Sequence, residues 1–182
     1  MGVLFISNVV LRTLLLVFLA ITLGLTGSLI ATQIFGIPQV NFMMFASVFG
    51  LLFGAFYGLA SLFLTGIAFP FAIALFDFLV TVFTFAGATA LAVAIRVHSC
   101  TNTNFLIVNR VAQNSTSRCR KAQADTCFMY FAFIVSLIAL ILSIITAMRS
   151  GWGTLPTKRG RGAAPAPATA AAPARPPTMT QV

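Results

Sequence analysis

The strongest candidate for a chemical role is Asp77, an acid that lies within a long apolar stretch of the sequence. A charged side chain at the centre of a bilayer costs about 2.5–3.5 kcal/mol, so such an acid is a candidate proton or substrate relay. A relay needs further polar partners, however, and the helical face of Asp77 offers only the hydroxyls of Thr81 and Thr84. We therefore predict that Asp77 serves structure, either as a neutral acid or by hydrogen bonding to a neighbouring helix, towards Arg12. On this interpretation Asp77→Asn is tolerated, and a small transporter or channel that uses Asp77 is the alternative function.

The other reactive side chains are too few to predict an enzyme. The sequence has no glutamate, one histidine and two aspartates, and no pair is spaced for acid–base or nucleophilic catalysis. We predict a non-enzymatic protein with no catalytic residues and no cofactor. A zinc site built from His98, Cys100, Cys119 and Cys127 is the alternative use of the available ligands. Their spacing matches no common zinc pattern, so no metal site is predicted.

Cys100 and Cys119 lie near the two ends of the longest polar segment, residues 96–126. This placement fits a disulfide that closes an extracytoplasmic loop, because disulfides persist in oxidising compartments. The same loop contains Asn114-Ser115-Thr116, a sequon that predicts N-glycosylation of Asn114. Lysine and arginine are divided almost equally between the loop and the terminal side, so charge alone does not set the orientation. The cysteines and the sequon together favour the loop outside and both termini in the cytosol.

Four long apolar stretches must position these residues, and each is long enough to cross a membrane. A bilayer core about 30 Å thick needs roughly 20 apolar residues at a rise of 1.5 Å each. The chain is 59% hydrophobic and 7% charged, whereas soluble domains carry about 25% charged residues. We predict an all-α membrane protein whose residues 1–150 form a bundle of four transmembrane helices, at about residues 14–34, 42–64, 67–95 and 127–148.

Small residues recur at every fourth position in these stretches and predict close helix packing. Residues four apart share a helical face, and small ones let helices approach where no hydrophobic effect drives association. The first span contributes Gly24 and Ser28, and the second contributes Gly50, Gly54 and Gly58. We predict that these faces pack within the bundle, with homo-oligomerisation through one of them as the alternative.

The chain after the fourth span is basic and rich in alanine and proline, which predicts a disordered cytosolic tail over residues 151–182. Arg149, Lys158, Arg159 and Arg161 cluster near its start, where anionic lipid headgroups are the expected contact. Nucleic acid is not a predicted partner, because the basic residues do not cover a folded surface. The 19 phenylalanines either fill helix contacts or form a surface adapted to sterols or sphingolipids.

Several short motifs resemble the fungal non-classical export protein family, whose members are four-span MARVEL-domain proteins. The likeness runs from the first span to the extreme C-terminus, and its most specific parts lie in the loop. The motifs that carry it are Phe76-Asp77-Phe78, Val82-Phe83-Thr84-Phe85, Ile95-Arg96-Val97-His98-Ser99-Cys100, Arg118-Cys119-Arg120-Lys121-Ala122-Gln123-Ala124 and Thr180-Gln181-Val182.

The resemblance implies a plasma-membrane protein of furrow-like microdomains with both termini in the cytosol. Members of the family help to organise eisosomes with their cytosolic coat proteins, respond to sphingolipid status and are linked to secretion without a signal peptide. The resemblance implies no catalytic residue, and the alanine- and proline-rich tail departs from the family pattern. It does not choose between a scaffold and a vesicle-traffic factor, and it indicates neither the lipid sensed nor the oligomeric state.

Overall fold

The computed structural model describes residues 2–63, 70–96 and 99–150, and this part of the chain is helical with short connections. Within it, four helices are long and apolar enough to cross a membrane, so the prediction of an all-α, four-span bundle is confirmed. The predicted tail over residues 151–182 lies outside the described residues. The elements are α1 (Gly2–Ala31), α2 (Pro38–Phe49), a π-helical segment (Gly50–Tyr57), α3 (Gly58–Phe63), α4 (Pro70–Ile95), α5 (Thr103–Val108) and α6 (Thr116–Ser150).

The bounds of the outer spans differ from the predicted ones. The helix α1 begins at Gly2 and not near residue 14, and α6 begins at Thr116 and not near residue 127. A span predicted from hydropathy ends where charged residues begin, but here Arg12 and Arg118 are buried within the helices. The segment called a loop in the prediction, residues 96–126, therefore contains α5 and the first turns of α6.

The second span is one continuous helical rod made of α2, the π-helical segment and α3. Pro38 occupies its first turn, where the missing proline N–H would have had no partner in any case. The π-helical segment is unusually long, since π geometry mostly appears as single turns within α-helices and often at functional sites.

The four spans form a closed ring in which each helix packs against its neighbours in sequence. The broadest contacts join α6 to α4 and to α1, and the second span fills the space between α1 and α4. Leu19 lies against Gly50, whereas Arg12 lies against Gly58, so α1 and the second span run antiparallel.

The face of α1 that enters the bundle follows alternating steps of three and four residues, the spacing of a coiled-coil seam. Halfway along it, the hydroxyl groups of Thr22 and Ser47 share a hydrogen bond of 3.1 Å. The buried residues of this face are Arg12, Leu15, Leu19, Thr22, Thr26 and Leu29.

The prediction that Gly24 packs within the bundle is wrong. A Cβ atom at Gly24 would meet nothing within 4 Å, and the residue is exposed. A stripe of residues strictly four apart drifts around the helix, and at Gly24 it has left the seam. Ser28 returns towards α6, where its Oγ accepts a hydrogen bond of 2.7 Å from Lys121 Nζ.

Phenylalanine rings fill much of the contact between the second span and α4. The ring of Phe83 lies edge-on to those of Phe45 and Phe49, at centroid distances of 5.4 and 5.1 Å. The rings of Phe53 and Phe76 stack at 4.6 Å. Part of the phenylalanine excess therefore serves helix packing inside the bundle.

Candidate functional site: a buried ion pair

Asp77 forms an ion pair with Arg12 in the interior of the bundle. Arg12 Nη1 donates to Asp77 Oδ1 at 2.5 Å, and Arg12 Nη2 donates to Asp77 Oδ2 at 2.7 Å. Arg12 is 1% exposed and Asp77 is 3% exposed. This bidentate geometry matches the planar guanidinium to the carboxylate and is the strongest form of such a pair.

Each of the four spans contributes one group to this ion pair. Arg12 comes from α1 and Asp77 from α4, and the carbonyl oxygen of Gly54 in the π-helical segment accepts from Arg12 Nη1 at 2.8 Å. From α6, Ser143 Oγ donates to Asp77 Oδ2 at 2.5 Å. Both carboxylate oxygens are thus engaged, and the pair ties the whole bundle together at one level.

The glycines of the second span make room for side chains of α1. A Cβ at Gly50 would lie 2.8 Å from Leu19 Cδ1, and one at Gly58 would lie 2.7 Å from Arg12 Cζ. Gly54 lies between them, where its Cβ would be 3.1 Å from Leu15 Cδ2. The structure therefore places all three glycines on a contact face. The neighbours that fill the space beside them are side chains, and no neighbouring backbone of the described residues comes nearer.

The partnership with Arg12 changes the expectation for Asp77→Asn. Removing one member of a buried pair leaves the other charge uncompensated, which typically costs 3–5 kcal/mol. An asparagine keeps the shape of Asp77 but supplies no counter-charge to Arg12. The tolerance expected from the sequence rested on hydrogen bonding alone, which an asparagine retains, and did not include a buried charge on Arg12.

A second buried acid, Asp125, lies nearer the loop end of the bundle and was not singled out from the sequence. Thr26 Oγ1 donates to Asp125 Oδ2 at 2.6 Å, which joins α1 to α6. Asp125 is fully buried, and among the described residues its Oδ1 has no hydrogen-bond partner. Asp125 therefore serves to join two helices.

Arg118, two turns before Asp125 in α6, is also buried in the bundle. Arg118 Nη1 donates to the carbonyl oxygen of Leu29 at 2.8 Å, so it satisfies the C-terminal end of α1. The signal that could have found this region is the seam spacing of α6, which continues into the predicted loop. The buried positions of that seam are Arg118, Ala122, Asp125, Met129, Ala132 and Ser136.

Cys100 and Cys119 are joined by a disulfide in the structure, with Cα atoms 5.8 Å apart, and both residues are buried. His98 lies outside the described residues. Among those described, no group of three or more histidine, cysteine or acidic side chains could hold a metal ion. The remaining thiol, Cys127, is exposed on α6.

Of the predicted glycosylation site and headgroup contacts, Asn114 and Arg149 belong to the described part of the chain. Asn114 is exposed just before α6, with a positive φ of 57°. Arg149 lies in the last turn of α6, and nothing is described of its side chain. Lys158, Arg159 and Arg161 lie outside the described residues.

Comparison with known proteins points to one family. The family model of MARVEL, described as a membrane-associating domain, matches residues 5–142. The chain is 46% identical over 178 residues to Non-classical export protein 102 of Candida albicans. The aligned region covers 97% of this chain and 98% of that protein. It is 43% identical over 135 residues to Non-classical export protein 2 homolog 1 of Saccharomyces cerevisiae, with 74% and 78% covered. Non-classical export protein 2 of the same yeast is 38% identical over 142 residues, with 78% and 82% covered. No solved structure matches the chain.

Proposed function

Since this chain belongs to the MARVEL family of membrane-associating proteins, we propose that it is a non-enzymatic organiser of lipid microdomains in the plasma membrane. In this role the bundle partitions with particular lipids, sphingolipids or sterols among them, and recruits the cytosolic coat proteins of eisosomes. Its relatives are named non-classical export proteins, and we extend to this chain a link with export of proteins that have no signal peptide.

The observation that carries the proposal is the closed state of the Arg12–Asp77 pair. Both carboxylate oxygens of Asp77 accept hydrogen bonds, which come from Arg12 and Ser143, and the pair is shielded from solvent. A transporter that used Asp77 would have to break the contact that joins all four spans. A bundle in which Arg12 and Asp77 neutralise each other is suited to packing against lipids and other proteins, and this favours a scaffold over transport.

We further propose that the loop lies outside and that both termini are cytosolic. The disulfide and the exposed sequon support this orientation, because both belong to the oxidising side of the membrane. The charge balance still does not decide between the two orientations, since burial removes one cation from each side, Arg12 inside the bundle and Arg118 at the end of α1. The terminal side keeps Arg149, Lys158, Arg159, Arg161 and Arg175 for contact with anionic headgroups.

The proposal is tested in a Saccharomyces cerevisiae strain that lacks Non-classical export protein 2 and its homolog 1. A fluorescently tagged copy of this chain is expressed there and imaged with an eisosome marker, before and after sphingolipid depletion. We expect co-localisation in stable patches that disperse when sphingolipid synthesis is blocked, and restored export of a cargo without a signal peptide. A uniform distribution at normal abundance, unaffected by the block, would contradict the microdomain role.

A tail variant separates membrane partitioning from coat recruitment. Removal of residues 151–182 leaves the four-span bundle intact and deletes most of the terminal basic residues. We expect this variant to reach the plasma membrane and to recruit less of the coat protein. The exposed substitution Gly24→Ala provides the matched control, because it touches neither the tail nor the helix contacts.

A further inference from the structure

A groove of about 370 Å³ opens at the loop end of the bundle, where α2 begins and α4 ends. Its lining combines apolar residues, among them Val93, with the two cations Arg96 and Arg110. The groove lies apart from the Arg12–Asp77 pair and takes no part in it.

The two cations of the groove have no acid to neutralise them. The chain contains two acidic side chains, Asp77 and Asp125, and both are buried in the bundle against other partners. Within the described part of the chain, neither the Arg96 nor the Arg110 guanidinium makes an ion pair or a side-chain hydrogen bond, and both residues are exposed. Their positive charge is therefore available to an external anion.

Arg96 occupies a backbone position that normally favours glycine. It follows the last residue of α4 with a φ of 56°, the left-handed conformation common just after helix ends. A side chain there costs stability, and outliers of this kind gather at functional sites. An arginine retained at that position indicates a use for its side chain.

The surroundings of the groove place it at the boundary between hydrocarbon and headgroups. Val93 is 69% exposed and Val108 is 82% exposed, although both are apolar. Side chains of this kind, exposed beside charged ones, suit a membrane surface better than water. Arg96 lies less than one helical turn beyond Val93, so the cation is at the headgroup end of this apolar wall.

The wall of the groove is held in place by Asn109. Its Nδ2 donates to the carbonyl oxygen of Ala94 at 2.9 Å, and its Oδ1 accepts from the backbone N–H groups of Val111 and Ala112 at 2.9 and 3.0 Å. These bonds fix the segment that carries Arg110 to the end of α4. A groove that is ordered beforehand binds with a smaller loss of conformational freedom.

From these features we propose that the groove binds the phosphate-bearing headgroup of an anionic membrane lipid in the leaflet on the loop side. Arg96 and Arg110 hold the phosphate oxygens, since guanidinium groups match phosphate geometry. The acyl chain lies along Val93 and Val108. The site depends on membrane embedding of the bundle, and it does not depend on the proposed microdomain role.

The test is direct binding to the full-length protein, purified in an uncharged detergent. The protein is titrated by calorimetry with dioctanoyl phosphatidylglycerol, with dioctanoyl phosphatidylcholine or with inorganic phosphate. We expect phosphatidylglycerol to bind roughly tenfold or more tightly than the other two, because it combines a net negative phosphate with an apolar tail. Equal affinity for phosphatidylcholine, or for inorganic phosphate, would overturn the proposal of an anionic lipid site.

Three variants locate the binding to the groove. Arg96→Gln and Arg110→Gln should each weaken phosphatidylglycerol binding by roughly tenfold, while Arg120→Gln, an exposed cation of α6 outside the groove, should stay within about twofold. Arg96→Gly removes the guanidinium and relieves the positive φ, so it should melt no lower than the wild type and still lose binding. Retained affinity in Arg96→Gly, or an equal loss in Arg120→Gln, would refute the site. Because purified protein is used, these outcomes are independent of the imaging result in cells.

Discussion

Gly58 lies directly against the guanidinium of Arg12, at a distance that leaves no space for a methyl group. A Cβ at Gly58 would be 2.7 Å from both Cζ and Nε of Arg12 and 2.8 Å from its Cδ. The arginine cannot easily move away, because Asp77 and Gly54 hold its two terminal nitrogens. The glycine of the second span is therefore a requirement of the ion pair.

We predict that Gly58→Ala destabilises the bundle by about 1–3 kcal/mol, the usual effect of overpacking a well-filled interior. The measurement is the thermal unfolding midpoint of the purified protein in detergent. Gly24→Ala is the matched control, since its methyl group would meet nothing within 4 Å and alanine is the better helix former. Equal midpoints for the two variants would show that Arg12 does not occupy the space beside Gly58.

We predict that Asp77→Asn lowers stability by about 3–5 kcal/mol, because Arg12 is left as an uncompensated buried charge. The double variant Arg12→Met/Asp77→Leu removes both charges and should recover most of the loss. The abundance of membrane-inserted protein and its unfolding midpoint give the coupling between the two positions. Phe78→Leu, at an exposed neighbour of Asp77, controls for the effect of substitution in α4. A double variant no better than Asp77→Asn would contradict the pairing.

We predict that reduction of the Cys100–Cys119 disulfide costs about 3 kcal/mol, since the bond closes a loop of 19 residues. Cys119→Ala should lower the unfolding midpoint, and Cys127→Ala should leave it unchanged. On intact cells, a membrane-impermeant maleimide should label Cys100 only after reduction. Labelling without reductant would exclude the disulfide, and labelling after reduction that appears only once the cells are permeabilised would place the loop inside.

We predict that Asn114 carries a glycan when the chain passes through the secretory pathway. Asn114 is exposed and precedes Ser115 and Thr116, so the sequon is reachable on the protein surface. Electrophoretic mobility should increase after endoglycosidase treatment and in the Asn114→Gln variant, to the same extent. Asn104→Gln, at an exposed asparagine of α5 with no sequon, should leave the mobility unchanged. Identical mobility of all samples would remove this support for the outside loop.

The number and class of the spans were predictable from apolar length alone, because each stretch exceeds the hydrocarbon thickness. The first residues of α1 and α6 were not predicted correctly, since the predicted spans ended at charged residues. Arg12 and Arg118 can be buried because each has a partner, Asp77 for Arg12 and the Leu29 carbonyl for Arg118. These partners lie 65 and 89 positions away in the chain. No local pattern identifies a partner at that distance.

Of the candidate site, the sequence predicted the acid Asp77, but it predicted only part of the groups that contact this acid. Asp77 is conspicuous in an apolar stretch, and hydrogen bonding to a neighbouring helix towards Arg12 was one of the two structural roles predicted for it. The four-way contact was not predictable, because the Gly54 carbonyl is a backbone group that carries no residue-specific signal. Gly24 was misassigned for a related reason: a small residue permits close packing, but only the seam of α1 decides which small residues face a neighbour.

The Arg12–Asp77 pair also imposes an order on biosynthesis. Arg12 leaves the ribosome 65 residues before Asp77, an interval of about 3–13 s at roughly 5–20 residues per second. During that time the first span carries a lone guanidinium, which membrane insertion disfavours by about 2.5–3.5 kcal/mol. The first span avoids this cost if it stays beside the translocation channel, where water still reaches its arginine, until the third span emerges. Joint release of the first and third spans would then bring the guanidinium into lipid already paired with Asp77.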